Sequence, residues 1–240
     1  MKKFVVFFLI QICVCVFLLN SQDFVYTNWN NGKELVDIAI YQTNSPENII
    51  FTISEELQSG VFTAPYHYLD QLVDYLVSWT DNDYLKVKSI HDWIVCNISY
   101  DIEAYNNHEI KIQDPGVTLR FRSAVCGGYS TLFNYMLRRA NFESYYVSGY
   151  TFGTGRHTIQ PGGIYVRHAW NCVKINDIWY LIDTTWNAGY IQNNRFVFAY
   201  TTRFFLADPY TFIRTHYPSA PGFLLLNNYI GINEFRNMRR

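Results

Sequence analysis

The sequence predicts an α+β domain in which a cysteine-led helix lies beside an antiparallel sheet. Three observations carry this expectation. Apolar residues recur at helical spacing in three stretches between Pro65 and Ala140. From Ser144 onward the pattern changes to short apolar runs divided by Gly, Asn and Asp, as paired strands require. The 240-residue chain is 49% hydrophobic and 18% aromatic, enough to bury one large core and to exclude a disordered chain.

The first helix follows Thr63-Ala64-Pro65, where proline suits a first turn, with Leu69, Leu72, Val73, Leu76 and Val77 on one face. A second opens at Thr80 or Asp81 as cap, with Asp83 in its first turn, and runs to about Tyr100-Asp101. Residues 102–122 read as irregular, with a turn at Asp114-Pro115-Gly116. The third helix begins at Cys126, carries Tyr129, Leu132, Phe133 and Met136, and closes at Asn141. Ser144 to Tyr150 reads as a strand, and Ile164–Ile175 and Ile178–Ile182 as a hairpin about Asn176-Asp177. A strand near Phe196–Tyr200, a short helix from Asp208-Pro209 to before Pro218 and a strand near Leu224–Leu226 end the chain. Residues 22–62 are polar, with short strands expected at Leu35–Ile40 and Ile49–Ile53.

The first 21 residues are of another kind. Lys2 and Lys3 precede an apolar run from Phe4 to Leu19, the layout of an export signal or an uncleaved N-terminal anchor, with membrane association through residues 4–19. The expected organisation is a leader at 1–21, an extension at 22–62 and one domain at 63–240. Without the leader, 17 basic residues face 20 acidic ones, a net charge of −3, which gives no grip on nucleic acid. Cys96, Cys126 and Cys172 then remain, an odd number that argues against a disulfide framework. The chain has no Cys-x-x-Cys, no His-Glu-x-x-His and no Gly-rich phosphate loop, so the sequence points to no metal and no cofactor.

The chemistry gathers around Cys126. A thiol at the start of a helix meets unpaired N–H groups and the positive end of the dipole, which favour the thiolate. Cys96 in an Ile- and Trp-rich helix and Cys172 in mid-strand read as inert buried thiols. A thiolate needs a base, and the base needs an orienting acid. His168 lies on the first strand of the hairpin and Asp183 closes the second. If paired residues sum to about 353, position 168 falls opposite 185, two places from Asp183. The carboxylate then receives the imidazole N–H and fixes its tautomer. His67, His91, His108, His157 and His216 have no carboxylate at a comparably defined position, and Arg120 and Arg122 read as a solvated pair.

Several blocks occur in order: Lys86-Val-Lys-Ser-Ile-His-Asp-Trp-Ile-Val-Cys-Asn-Ile-Ser-Tyr-Asp101, Ala124-Val-Cys-Gly-Gly-Tyr129, His168-Ala-Trp-Asn171 and Trp179-Tyr-Leu-Ile-Asp-Thr-Thr-Trp186. A tail block runs from Phe204-Phe-Leu-Ala-Asp-Pro209 through His216-Tyr-Pro218. With these blocks the chain resembles the transglutaminase-like superfamily and, within it, the kyphoscoliosis-peptidase-like branch. The resemblance implies a papain-like, transglutaminase-core fold with Cys126 as nucleophile, His168 as base and Asp183 as orienting acid. It departs at Gly127-Gly128, where relatives often carry one glycine and a variable residue.

The expected activity is that of an exported thiol acyl-hydrolase, a cysteine peptidase or amidase acting on protein or peptide through a thioester. A crosslinking acyltransferase and a non-catalytic surface-binding member of the fold are the alternatives. The Cys126 N–H is one oxyanion donor. Gln113 is a candidate for the second because its amide has the right chemistry. Trp170 and Trp186 are candidates for a wall beside the thioester, although tryptophans on paired strands mostly fill a core.

Overall fold

A computed structural model describes residues 65–107, 114–152 and 165–238, together with the backbone of an antiparallel strand pair, β1 (Val25–Trp29) and β2 (Lys33–Asp37). The leader, the strand expected at Ile49–Ile53 and Gln113 lie outside the described residues. Among the described residues no helix is long and apolar enough to cross a membrane.

Helix α1 (Pro65–Val77) buries Leu69, Leu72, Val73 and Leu76, the stripe its spacing predicts. Helix α2 (Asp83–Asn97) is capped by Asn82, whose side chain accepts from the Leu85 N–H at 3.1 Å. It stops three residues sooner than the apolar pattern suggests. Ser99–Tyr100 leaves it as a two-residue strand, β3, parallel to β4 (Ser123–Ala124). The stretch expected to be irregular holds two short helices, α3 (Ile102–Asn106) and α4 (Pro115–Phe121). Asp101 and Asp114 accept from the N–H groups of Ala104 and Val117, and Pro115 supplies the first turn. Asp-Pro-Gly is therefore a helix start here, not a turn.

Helix α5 (Cys126–Arg139) follows directly on β4. It ends where Asn141 takes a left-handed φ of 65°, as its sequence predicts. Gly128 is required by packing: a Cβ there would sit 2.5 Å from Ala124 Cβ and 3.0 Å from Thr118 Oγ1. The close approach that the double glycine signals at this position is of protein to protein. Arg122 is not a solvated arginine, since its guanidinium lies 5.2 Å over the Trp93 ring.

Strands β5 (Ser144–Phe152), β6 (Tyr165–Ile175) and β7 (Ile178–Ile182) form an antiparallel sheet, completed at its edge by β10 (His216–Pro218) in the order β10-β5-β6-β7. The β6–β7 ladder runs from Ile175↔Ile178 to Asn171↔Ile182, the register expected from a two-residue turn. Asn176 and Asp177 both take positive φ, 49° and 63°, as that turn demands. Past the sheet come α6 (Thr184–Ala188), the hairpin β8 (Gly189–Gln192) to β9 (Arg195–Phe198), and α7 (Pro209–Phe212). The strand expected at Leu224–Leu226 is instead the end of a 3₁₀ turn, Pro221–Leu224, with Leu225 at φ 54°. A helix, α8 (Ile232–Asn237), completes the chain.

Among the described residues, apolar cores lie on both faces of the sheet, with a further cluster of Ile213, Tyr217, Leu224 and Phe235 at the β10 edge. Helices α1, α2 and α5 pack on Val173, Ile175, Tyr180 and Ile182. The late segment brings Phe204, Ala207 and Phe212 onto Val147, Trp170 and Cys172. Gly149 lets β10 close on β5, because a Cβ there would collide with the Tyr217 carbonyl oxygen, the Trp170 ring edge and Pro218 Cα. Gly149→Ala should therefore lower stability by about 1–3 kcal/mol, the usual cost of overpacking. Urea unfolding of the variant checks this. An unchanged midpoint would mean that β10 yields freely.

Candidate active site

The site forms where β7 runs out. Beyond Asn171↔Ile182 strand β6 pairs only with β5, and the space beside His168 is taken by Asp183 and α6. Asp183 is the N-cap of α6: its Oδ1 accepts the Trp186 N–H at 3.0 Å, and its own N–H donates to the Phe204 carbonyl at 2.9 Å. Its Oδ2 lies 2.8 Å from His168 Nε2. An ionised carboxylate only accepts, so Nε2 carries the proton and Nδ1 is left facing away from the acid. His168's other side-chain partner is the Cys126 thiol. Cys126, on the first residue of α5, and Asp183 thus both act on His168, the acid through a hydrogen bond of 2.8 Å.

The charges follow from this contact. Burial alone would lower the His168 pKa, but the Asp183 carboxylate and the Cys126 sulfur outweigh it and push it up to about 10. Burial works against an ionised Asp183 as well. His168 and then His216 overcome it and hold the carboxyl well below the usual carboxylate range.

His216 is the group that sequence reasoning missed. Its Nε2 lies 3.0 Å from the same Asp183 Oδ2, and its Nδ1 lies 2.7 Å from Thr215 Oγ1. Burial pushes its pKa down to about 4, so the ring is neutral at pH 7. Its only sequence signal was a place in the tail block. No local spacing links it to Asp183.

His168, Asp183 and His216 offer three ligand atoms within 4.8 Å of one another. A tetrahedral zinc with ~2.0–2.1 Å bonds would hold its ligand atoms about 3.3 Å apart. The 2.8 and 3.0 Å contacts are those of N–H donors on one oxygen, and the set is a hydrogen-bond cluster.

A second buried network braces the acid from α2. Asp92 accepts from His91 Nδ1 at 2.8 Å, leaving His91 Nε2 to accept from Asn187 Nδ2 at 2.8 Å. Asn187 Oδ1 accepts the Phe204 N–H at 3.0 Å, and Phe204 in turn takes the Asp183 N–H. Lys88 neutralises Asp92 from the next turn of the helix.

A cleft borders His168. Tyr100 and Tyr105 stand among its lining residues, as do Trp186, Tyr190 and Phe196, the last two from the β8–β9 hairpin. Trp170 is core: it is 1% exposed, lies 5.1 Å edge-on to His216 and is not among the residues lining the cleft. The indole that borders the cleft is Trp186.

A sequence model described as the transglutaminase-like superfamily matches residues 70–184, the stretch from α1 through Asp183. The chain belongs to the transglutaminase-like superfamily. Within it the chain sides with kyphoscoliosis peptidase, being 33% identical to the mouse protein and 34% to the human one over 171 residues. Those matches cover 70% of this chain but 26% of each relative, so the chain spans about a quarter of their length. A crystal structure from Cytophaga hutchinsonii, described as a candidate cysteine protease, is 23% identical, covering 67% of this chain and 49% of its own at a TM-score of 0.41. This is a transglutaminase-like domain with a buried His/Asp site.

For such a site the stability of the fold should depend on pH in a defined way. His216 has a folded pKa of about 4 against an ordinary 6.5, so stability rises with pH between the two. The raised pKa of His168 works oppositely: its contribution is complete below 6.5 and is lost as pH rises toward about 10. The depressed Asp183 adds stability above the ordinary carboxyl value, lost on further acidification. Thermal melts across this range should peak near pH 6.5, the ordinary value of both histidines. His168→Gln should flatten the alkaline limb and also move the acid limb, because His168 helps to hold Asp183 ionised; a pH-independent parental melt would contradict the assignment.

Proposed function

We propose that the domain, from about residue 63 to residue 240, is an exported thiol acyl-hydrolase, a peptidase or amidase that works through a thioester on Cys126. The observation that carries this reading is the buried His168–Asp183 pair, Nε2 held 2.8 Å from the carboxylate, with Cys126 acting on the same imidazole. With Nε2 engaged, Nδ1 is the nitrogen that takes the thiol proton. The thiolate then attacks a substrate carbonyl. The Cys126 backbone N–H, among the first of α5 and without an intrahelical acceptor, donates to the oxyanion. The His168 imidazolium returns its proton to the leaving amine, and the same ring then draws a proton from water to cleave the thioester. The names of the mouse and human relatives support a protein or peptide substrate.

Transfer to an amine is the second reading, favoured by the aromatic residues Tyr100, Tyr105, Trp186, Tyr190 and Phe196 around the cleft. Those aromatic residues line a cleft beside His168, and Cys126 is not among its lining residues, so they do not form a wall around a thioester; hydrolysis is the reading adopted. Residues 1–21 supply the export signal in this reading, and the mature chain begins near residue 20–25 or stays anchored through residues 4–19.

Iodoacetamide at mildly acidic pH should label Cys126 well before Cys96 or Cys172, and His168→Ala should slow that labelling without unfolding the domain. Equal labelling of the three thiols would remove Cys126 as nucleophile. Asp183→Asn should cost turnover far more than binding, by as much as ~10⁴-fold, the loss met when an orienting carboxylate becomes an amide.

The acceptor is decided by incubating the mature domain with a mixed peptide library and a labelled primary amine. Cleaved or deamidated peptides carrying little label are expected. Label entering glutamine side chains in clear excess over hydrolysis would establish transfer instead. N-terminal sequencing after cell fractionation tests export, and a soluble cytosolic protein retaining Met1 would refute it.

A further inference from the structure

The proposed chemistry uses three of the four side chains gathered at the site and leaves His216 without a task. Its surroundings are specific. The ring lies flat against Phe212, 4.0 Å between centroids, and is enclosed further by Trp186 at 4.6 Å, Trp170 at 5.1 Å and Phe204 at 5.2 Å. Asp183, His168 and Thr215 are its polar and titratable neighbours among the described residues. An imidazole in such a box stays neutral, with one proton to place. Asp183 Oδ2 only accepts, so the proton is on Nε2; Nδ1 then accepts the Thr215 hydroxyl at 2.7 Å, which is nearer to it than the other acceptor of that proton, the Phe212 carbonyl at 3.3 Å.

The consequence falls on Asp183. Its carboxylate is fully buried and takes three N–H donors: Trp186 on Oδ1, His168 and His216 on Oδ2. The two donors on Oδ2 come from different strands, β6 and β10, and they fix the carboxylate plane from two directions. With a single donor on that oxygen the carboxylate would be held only by His168 and by the Trp186 N–H on Oδ1, without the second fix on Oδ2. We propose that His216 is a positioning residue, whose neutral Nε2–H holds the Asp183 carboxylate ionised and aimed at His168. This rests on the thiol-hydrolase reading above. It extends the functional constellation past residue 184, the end of the superfamily match, into the β10 segment.

The test is the pH profile of iodoacetamide labelling at Cys126, read by mass spectrometry on folded full-length protein, with thermal melts run in parallel. It needs no substrate. His216→Phe keeps the aromatic packing and removes the donor. Without it the carboxylate protonates more easily, and His168 loses its orienting partner at a higher pH. Labelling at pH 5 should fall about 10–100-fold, the range lost when a partner orienting a functional imidazole is removed. The acid limb should move toward neutrality.

His216→Gln places an amide N–H the same number of bonds from Cβ and should restore most of the rate. Thr215→Val, a milder change that frees the imidazole tautomer, should give an intermediate shift and covers the case in which His216→Phe does not fold. A folded His216→Phe with the parental profile, its melt alone lowered, would make His216 a purely structural contact and overturn the proposal. His216→Gln as slow as His216→Phe, or a parental profile for Thr215→Val, would do the same. A parent protein whose Cys126 labels no faster than Cys96 and Cys172 would overturn the thiol reading itself, and this proposal with it.

Discussion

Everything distinctive about this domain is arranged around one buried negative charge. The Asp183 carboxylate has no exposed surface, and an isolated carboxylate in such a place would simply take up a proton. It stays ionised because the fold delivers donors to it from β6, from β10 and from the first turn of α6. Its main chain is held just as firmly, through Phe204 and Asn187 to His91 and Asp92 on α2. A helix on one side of the sheet and the late segment on the other therefore meet at a single side chain. His168 is aimed from that anchor.

The sequence made the central hairpin and the cysteine-led helix legible because both are written in local rules. Asn176-Asp177 admits positive φ at two successive positions, which sets the register, and the register alone brings Asp183 near His168. The stripe Tyr129, Leu132, Phe133 and Met136 likewise marks α5 and its buried face. The short helices α3 and α4 escaped because aspartate before an apolar residue or a proline serves a turn and an N-cap equally well. The strand expected at Leu224–Leu226 failed for the opposite reason: three leucines satisfy a strand pattern, but Pro221-Gly222 had already committed the chain to a 3₁₀ turn. Gln113 and Trp170 were chosen on side-chain chemistry and sequence proximity. Trp170 shows the weakness of that argument, since its strand face is the one that the late segment covers.

His216 was illegible on physical grounds of another sort. Its partner is 33 residues away, and its strand pairs across the sheet with Thr151, Tyr150 and Gly149 rather than with anything nearby in the chain. No period or turn encodes such a contact. The resemblance to the superfamily included the tail block as a whole without assigning its histidine a task. The relatives are also about four times longer than the region they share with this chain, so similarity alone does not divide the roles of core and flanking segments.

The placement of β10 has a consequence for how the molecule comes into being. The β6–β7 hairpin closes through a two-residue turn, whereas β10 must return across the whole β6–β9 region to reach the free edge of β5. Loop-closure entropy and contact order put such a return among the slow steps of folding. During synthesis from the N-terminus, Cys126, His168 and Asp183 are all made before His216 and the aromatic residue Phe212 that stacks on it. The nascent chain thus carries Cys126, His168 and Asp183 for a time without the strand that seals them. On this topology, the site matures only after synthesis has passed β10.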